Sequence, residues 1–364
     1  MKNKQKNPKA SSDKKLNLTT KHWTIISVYI MAITLVLGII GVYIAYKQLH
    51  KETPAIDPKT AAIIEKLLDK VPTTLDTKAP PAISKEDMEE LKRLISQLSS
   101  QNKLIDNTSV LLKLGSLEFA QGNLEEAMNY ENEAFKNAKY NNDLKTIAIC
   151  LGNIGVIYIE KSDLDKALEK LKIALDIDKQ IGFKQGETAA LKSIGSIYYD
   201  KGELDQALQY YNGALKINRE IGDKLGEADA LALIGVIYRD KRELNKALEN
   251  FQKSLNISRE IEYKQGEAYA LGCIGVVYGD KGELEQALQY HNDALKINHE
   301  MGDNLDEAND LLNIGLILKS KGEREKALEN LKAAFEIIEK HGSSHNWDII
   351  KKAVKEAISK LKTK

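Results

Sequence analysis

Apolar residues recur along this chain at helical spacing, in blocks that repeat every forty residues. One block reads Leu231, Ile234, Tyr238, then a polar break, then Leu244, Ala247, Leu248, Phe251 and Leu255. Steps of three, four and seven residues predict a buried stripe on each of two helices, A and B. The break between them is Asp240-Lys241-Arg242-Glu243. Neighbouring blocks carry Gly202 and Gly282 there, the residue type suited to a left-handed helix C-terminus. A second break, Gly222-Asp223 or Gly302-Asp303, places an aspartate where it can cap the next helix A. No proline follows Pro81, so none interrupts these helices.

The blocks keep register without insertion or deletion. Gly115, Gly155, Gly195, Gly235, Gly275 and Gly315 stand forty residues apart, preceded by Leu114, Ile154, Ile194, Ile234, Ile274 and Ile314. Ala127, Ala167, Ala207, Ala247, Ala287 and Ala327 each follow twelve residues later. A glycine in a helix interior costs about 1 kcal/mol against alanine. Its repetition predicts a close approach where helix A crosses helix B, with the alanine making room from the other side. A period of this length predicts a solenoid, in which thin helix pairs bury their apolar faces only by stacking.

The spacing Leu191, Ile194-Gly195, Tyr198, Ala207, Tyr211 and Ala214 resembles the tetratricopeptide repeat signature. Six copies fill 108–341, as 108–141, 148–181, 188–221, 228–261, 268–301 and 308–341. The forty-residue period is similar to that of kinesin light chains and related adaptors. Arg219 stands where the family closes helix B with proline, His291 where an aromatic is usual, and Glu118 and Leu318 where tyrosine is usual. The resemblance implies an all-α, right-handed superhelical solenoid of six helix pairs. Its concave side would be lined by helices A and would hold a peptide or protein segment.

Both ends of the array carry candidate caps. In 343–364, Trp347, Ile350, Val354, Ile358 and Leu361 predict an amphipathic capping helix, with Lys355 at the glycine register. In 84–105, Ser84 and Asp87 resemble a capping box, and Met88, Leu91, Ile95 and Leu98 follow. That segment is either an N-terminal capping helix or a short coiled coil.

Residues 23–46 hold no charge and predict one N-terminal transmembrane helix. At 1.5 Å per residue the run reaches about 36 Å, against a bilayer core of about 30 Å. Trp23 at one end and Tyr43 and Tyr46 at the other suit the two interfaces. The alternative, a cleaved signal peptide, calls for a shorter run and a small-x-small site after it. Residues 1–22 form a basic tail expected to be disordered, and 47–83 form a linker with Pro54, Pro58, Pro72, Pro80 and Pro81. Seven lysines precede the run, against Lys47, Lys51, Lys59 and Lys66 after it. That bias predicts a cytoplasmic N-terminus with the repeats outside.

The charges, 53 basic and 53 acidic, balance, so no net charge draws the chain to nucleic acid. Cys150 and Cys273 lie in helices A three repeats apart and predict small buried hydrophobes, not a disulfide. His341 and His345 share a spacing found in metal sites but lack further ligands nearby. No phosphate-binding loop and no serine, histidine and acid set stands outside the repeat pattern. The expectation is therefore no enzyme, cofactor, metal or small-molecule substrate.

What is expected is a membrane-anchored scaffold that binds a protein or peptide segment. A regulatory sensor arm controlling a membrane or signalling enzyme is the alternative. The groove candidates are helix A residues outside the packing signature: Lys113, Asn153, Lys192, Tyr199, Asp229, Arg239, Tyr269, Asn309 and Asn313. Asn153 and Asn313 occupy a position where the related adaptors place a backbone-gripping asparagine, whose amide can satisfy both a peptide N–H and a C=O. The other repeats have Lys113, Ser193, Leu233 and Cys273 there.

Overall fold

A computed structural model describes residues 108–341 and 345–362, together with Thr73 and Leu75. The basic tail, the apolar run 23–46, the helix expected at 84–105 and most of the linker lie outside the described residues. Among the described residues there are thirteen helices and no strand, and no helix is long and apolar enough to cross a membrane. The chain divides into two compact units at Phe183 and Lys184.

The first unit contains α1 (Thr108–Ala120), α2 (Leu124–Tyr140), α3 (Leu144–Glu160) and α4 (Leu164–Ile181). Each packs on the next, in two antiparallel pairs. The second unit continues with α5 (Lys184–Asp200), α6 (Leu204–Ile221), α7 (Lys224–Asp240), α8 (Leu244–Glu260) and α9 (Lys264–Asp280). It ends with α10 (Leu284–Met301), α11 (Asn304–Ser320), α12 (Arg324–His341) and α13 (His345–Lys362). Within this unit the A helices of successive repeats touch, as α5 does α7, α7 does α9 and α9 does α11. Successive B helices approach one another less closely, so the A side is the inner side of this stack.

The breaks follow the chemistry of the residues at them. Asp143, Asp163, Asp223 and Asp303 each accept a backbone N–H of the first turn of the helix they precede. The A-to-B turns need one left-handed residue, supplied by Gly122, Gly202, Gly282 and Gly322, and by Ser162 and Arg242 in the other two copies. Arg219 and Arg259 reach from the last turn of helix B to Glu227 and Glu267 in the next helix A, at 2.7 and 2.8 Å, and His299 reaches Glu307 at 3.1 Å. The position where the resembled family closes helix B with proline thus bridges the inter-repeat break in three copies. Each bridging side chain is half or more exposed, so each bridge contributes little, on the order of 0–1 kcal/mol.

The recurring glycine makes room for one side chain of helix B. A Cβ added at Gly235 would stand 2.7 Å from the Phe251 ring, and at Gly195 2.6 Å from the Tyr211 ring. Gly155 and Gly315 are filled in the same way by Leu171 and Leu331, Gly115 by Glu131 and Gly275 by His291. Each glycine is the floor of a socket for the side chain sixteen residues later on helix B. Backbone also comes near at Gly155 and Gly315, where Ala167 O and Ala327 O lie at 3.4 and 3.3 Å.

At the C-terminal end, α13 buries Ile350, Val354, Ala357 and Leu361 against α11 and α12. Lys355 is exposed, its ammonium 5.6 Å from the centre of the Phe335 ring. Arg324 donates to the Leu361 carbonyl, satisfying one of the orphan acceptors at the end of α13.

Candidate functional site: the face of the A helices

In the second unit, the polar and aromatic candidates fall on neighbouring A helices. Lys192 Nζ of α5 is 3.5 Å from Asp229 Oδ2 of α7. Tyr199 of α5 donates its hydroxyl to Asp240 Oδ2 of α7 at 2.7 Å. Arg239 donates to Asp240 Oδ1 through Nε at 3.1 Å and Nη2 at 2.7 Å. Burial, and then the hydrogen bond to Asp240, push the Tyr199 phenol up to about 12, so it stays a hydrogen-bond donor. Tyr269 of α9 keeps part of its side chain exposed, while its hydroxyl lies against Cys273; that contact, and then the enclosure of the hydroxyl, raise its pKa. In α11, Asn309 is half-buried, with only a long 3.5 Å contact to Asp306. Asn313 is half-buried and its amide has no hydrogen-bond partner among the described residues.

The first unit is different. Lys113 is buried in α1. Asn153 is 2% exposed, and every part of its amide is engaged. Nδ2 donates to Glu131 Oε1 and to the Thr73 carbonyl, both at 2.9 Å, while Oδ1 accepts the Leu75 N–H at 3.0 Å. Glu131 is wholly buried, and burial pushes its carboxyl well above the ordinary range.

Among the buried acids, Glu131 and Asp310 in α11 bond to other buried polar side chains. Asp310 accepts from Asn298 Nδ2 at 2.9 Å and faces His291 Nδ1 at 2.9 Å. Neither acid was among the sequence candidates, because a carboxylate on a charged helix reads as a solvated one. The available signal was register: Glu131 and His291 lie sixteen residues after the recurring glycine, where the other copies place Leu171, Tyr211, Phe251 and Leu331.

Cys150 is buried and Cys273 half-buried, and both are free thiols. Burial, and then the Glu131 carboxyl, push the Cys150 thiol far up, which leaves it unreactive. Among the described residues, no three of the metal-ligating side chains converge.

The tetratricopeptide repeat family profile matches residues 187–260 and 266–340. These residues are tetratricopeptide repeats. No curated protein matches the chain in sequence. Solved structures match it in fold. BtubC from P. vanneervenii is 20% identical, over 61% of this chain and 93% of that one, with a TM-score of 0.54. A Rap protein complexed with Competence and Sporulation Factor is 15% identical, over 93% and 99%, with a TM-score of 0.61. NprR in complex with its cognate peptide NprX is 14% identical, over 85% and 89%, with a TM-score of 0.54. At such identities the likeness is one of fold alone. The tetratricopeptide repeats of 187–340 contain Lys192, Tyr199, Asp229, Arg239, Tyr269, Asn309 and Asn313; Lys113 and Asn153 precede them.

Proposed function

We propose that this chain is a membrane-anchored tetratricopeptide scaffold whose A-helix face holds an extended protein or peptide segment. The observation that carries the reading is the amide of Asn313. It lies on the inner side of the second stack, half-buried and without a hydrogen-bond partner among the described residues. A carboxamide there offers a donor and an acceptor side by side, as one peptide unit of an extended chain requires. Exposed Tyr269 adds an aromatic surface on the same side. Two proteins of like fold lend support: Rap is complexed with Competence and Sporulation Factor, and NprR with its peptide NprX. A photo-crosslinking residue at Tyr269 of the full-length chain in its own membrane tests this. It should give one discrete adduct that the same residue at exposed Glu249 on α8 does not; equal labelling from both positions would refute the reading.

The anchor of this reading is the uncharged run 23–46, with the N-terminus cytoplasmic and the repeats outside. Protease added to intact cells then removes the repeats. Survival of the repeats until the membrane is permeabilised overturns the orientation.

A further inference from the structure

We propose that the amide of Asn153, aimed by buried Glu131, is a main-chain clamp occupied by the chain's own Thr73–Leu75 segment, so that an extended peptide reaches this face by displacing that segment.

Three contacts define the clamp, and they fit one orientation of the amide. Nδ2 faces two oxygens, Glu131 Oε1 and the Thr73 carbonyl, each at 2.9 Å. Oδ1 faces the Leu75 N–H at 3.0 Å. Turned over, the amide would set its oxygen against the Thr73 carbonyl and its nitrogen against the Leu75 N–H. The Thr73 carbonyl and Leu75 N–H belong to residues two apart, so one side-chain amide pairs with a main-chain acceptor and a main-chain donor. No side-chain chemistry of the segment enters these bonds, so the clamp reads main chain and not sequence.

Glu131 is the part that makes the clamp directional. It sits beneath Gly115, where an added Cβ would stand 2.8 Å from Oε1. Any other residue at 115 would push the carboxyl out of line with Asn153. Burial disfavours the charged form of Glu131, and Oε1 accepts from Asn153 at 2.9 Å. Its second oxygen, Oε2, is buried without a hydrogen-bond partner among the described residues. The acid is retained at a cost in desolvation, at a register position filled by leucine or an aromatic ring in four other copies. Its return is the fixed direction of the Asn153 amide.

The resident contact stands on these distances alone; its displacement rests on the proposed function. The test therefore has two readouts on the full-length chain in detergent micelles. Hydrogen exchange at the Leu75 amide should be slowed in the native chain by roughly two- to tenfold, the factor of one net hydrogen bond, and Asn153→Ala should restore it. Equal exchange in the two chains overturns the resident contact. Leu75→Pro removes the donated N–H and leaves Asn153 and Glu131 unaltered, so it serves even if Asn153→Ala does not fold. It should speed exchange of the Asn153 side-chain NH2, and no change there overturns the contact as well. The second readout is binding of a labelled synthetic copy of residues 71–77. Leu75→Pro should bind it roughly two- to tenfold more tightly than the native chain. A protected Leu75 with equal peptide affinity in both chains overturns displacement and leaves the resident contact standing.

Discussion

Two sockets built on the same template hold opposite chemistry. Under Gly235 in the second unit lies the Phe251 ring, wholly buried and packed with Leu255, Leu271 and Ile274. Under Gly115 in the first unit lies Glu131, equally buried, bonded to Asn153 and carrying one unpartnered oxygen. The floor glycine, the sixteen-residue spacing and the helix order are the same in both. The ring contributes burial and contact; the acid contributes hydrogen-bond direction and gives up part of its solvation energy. A repeat scaffold can therefore trade stability for polar function at one register position without changing fold, because each copy has its own socket.

The largest effect expected from this contrast is at the apolar socket. Phe251→Ala leaves an unfilled space against Gly235 and should destabilise by about 3–5 kcal/mol. Glu131→Ala should cost clearly less, since the penalty of burying its carboxyl disappears with it. Thermal melts of both variants decide this, and a loss at 131 equal to that at 251 would break the contrast.

The His291 socket under Gly275 lies between the two. Its ring faces Asp310, which also accepts from Asn298. Asp310→Ala strands two buried groups, each worth about 1–3 kcal/mol when unpartnered. The desolvation of Asp310 itself is relieved at the same time. The net loss, read from denaturant midpoints, should fall below that of Phe251→Ala, and a larger loss would show that the polar socket is the stronger one.

A pH series separates acid from ring by sign. Burial raises the folded pKa of Glu131 above its unfolded value. Between those two values the folded chain holds a proton that the unfolded chain has released. Stability from this group is complete below the unfolded pKa and declines as pH rises, by up to about 1.4 kcal/mol per pH unit. Glu131→Gln removes that slope. The melting temperature of the variant should gain on the native chain as pH rises above the ordinary glutamate range. Phe251→Leu should differ from the native chain by a constant amount over the same rise in pH. Parallel curves for Glu131→Gln would mean that the acid is not held neutral.

The fold was legible because each forty-residue block repeats its own punctuation: Asp223 and Asp303 as caps, Gly202 and Gly282 at turns. The glycine at 235 was legible as a close approach, but not what approaches, because the partner residue lies across a helix crossing and not along a helix. The polar positions on the A face were legible by subtraction from the packing signature. The occupant of Asn153 was not, since Thr73 lies eighty residues away in sequence and its contribution is main chain, which carries no residue-type signal. Buried acids were illegible for a related reason. Glu131 and Asp310 are written in the same letters as the solvated glutamates and aspartates around them, and only the burial of their surroundings distinguishes them.

The smallest expected effect lies in the turns and serves as the control for the sockets. If the copies differ in stability through their sockets, equalising a turn should change little. Arg242 holds a left-handed backbone, φ +63°, where Gly202 and Gly282 stand at +75° and +77°. For a residue with a Cβ that conformation costs about 1–2 kcal/mol. Glycine removes the strain but loses more backbone entropy on folding, which offsets roughly 0.5–1 kcal/mol of the gain. The Arg242 side chain is mostly exposed, and its 3.9 Å approach to Asp280 adds little. Arg242→Gly should therefore stabilise by about 0.5–1 kcal/mol, with Gly282→Arg losing a similar amount. Paired melts of the two variants check both signs. A gain from Arg242→Gly as large as the loss from Phe251→Ala would move the difference between repeats from the sockets to the turns.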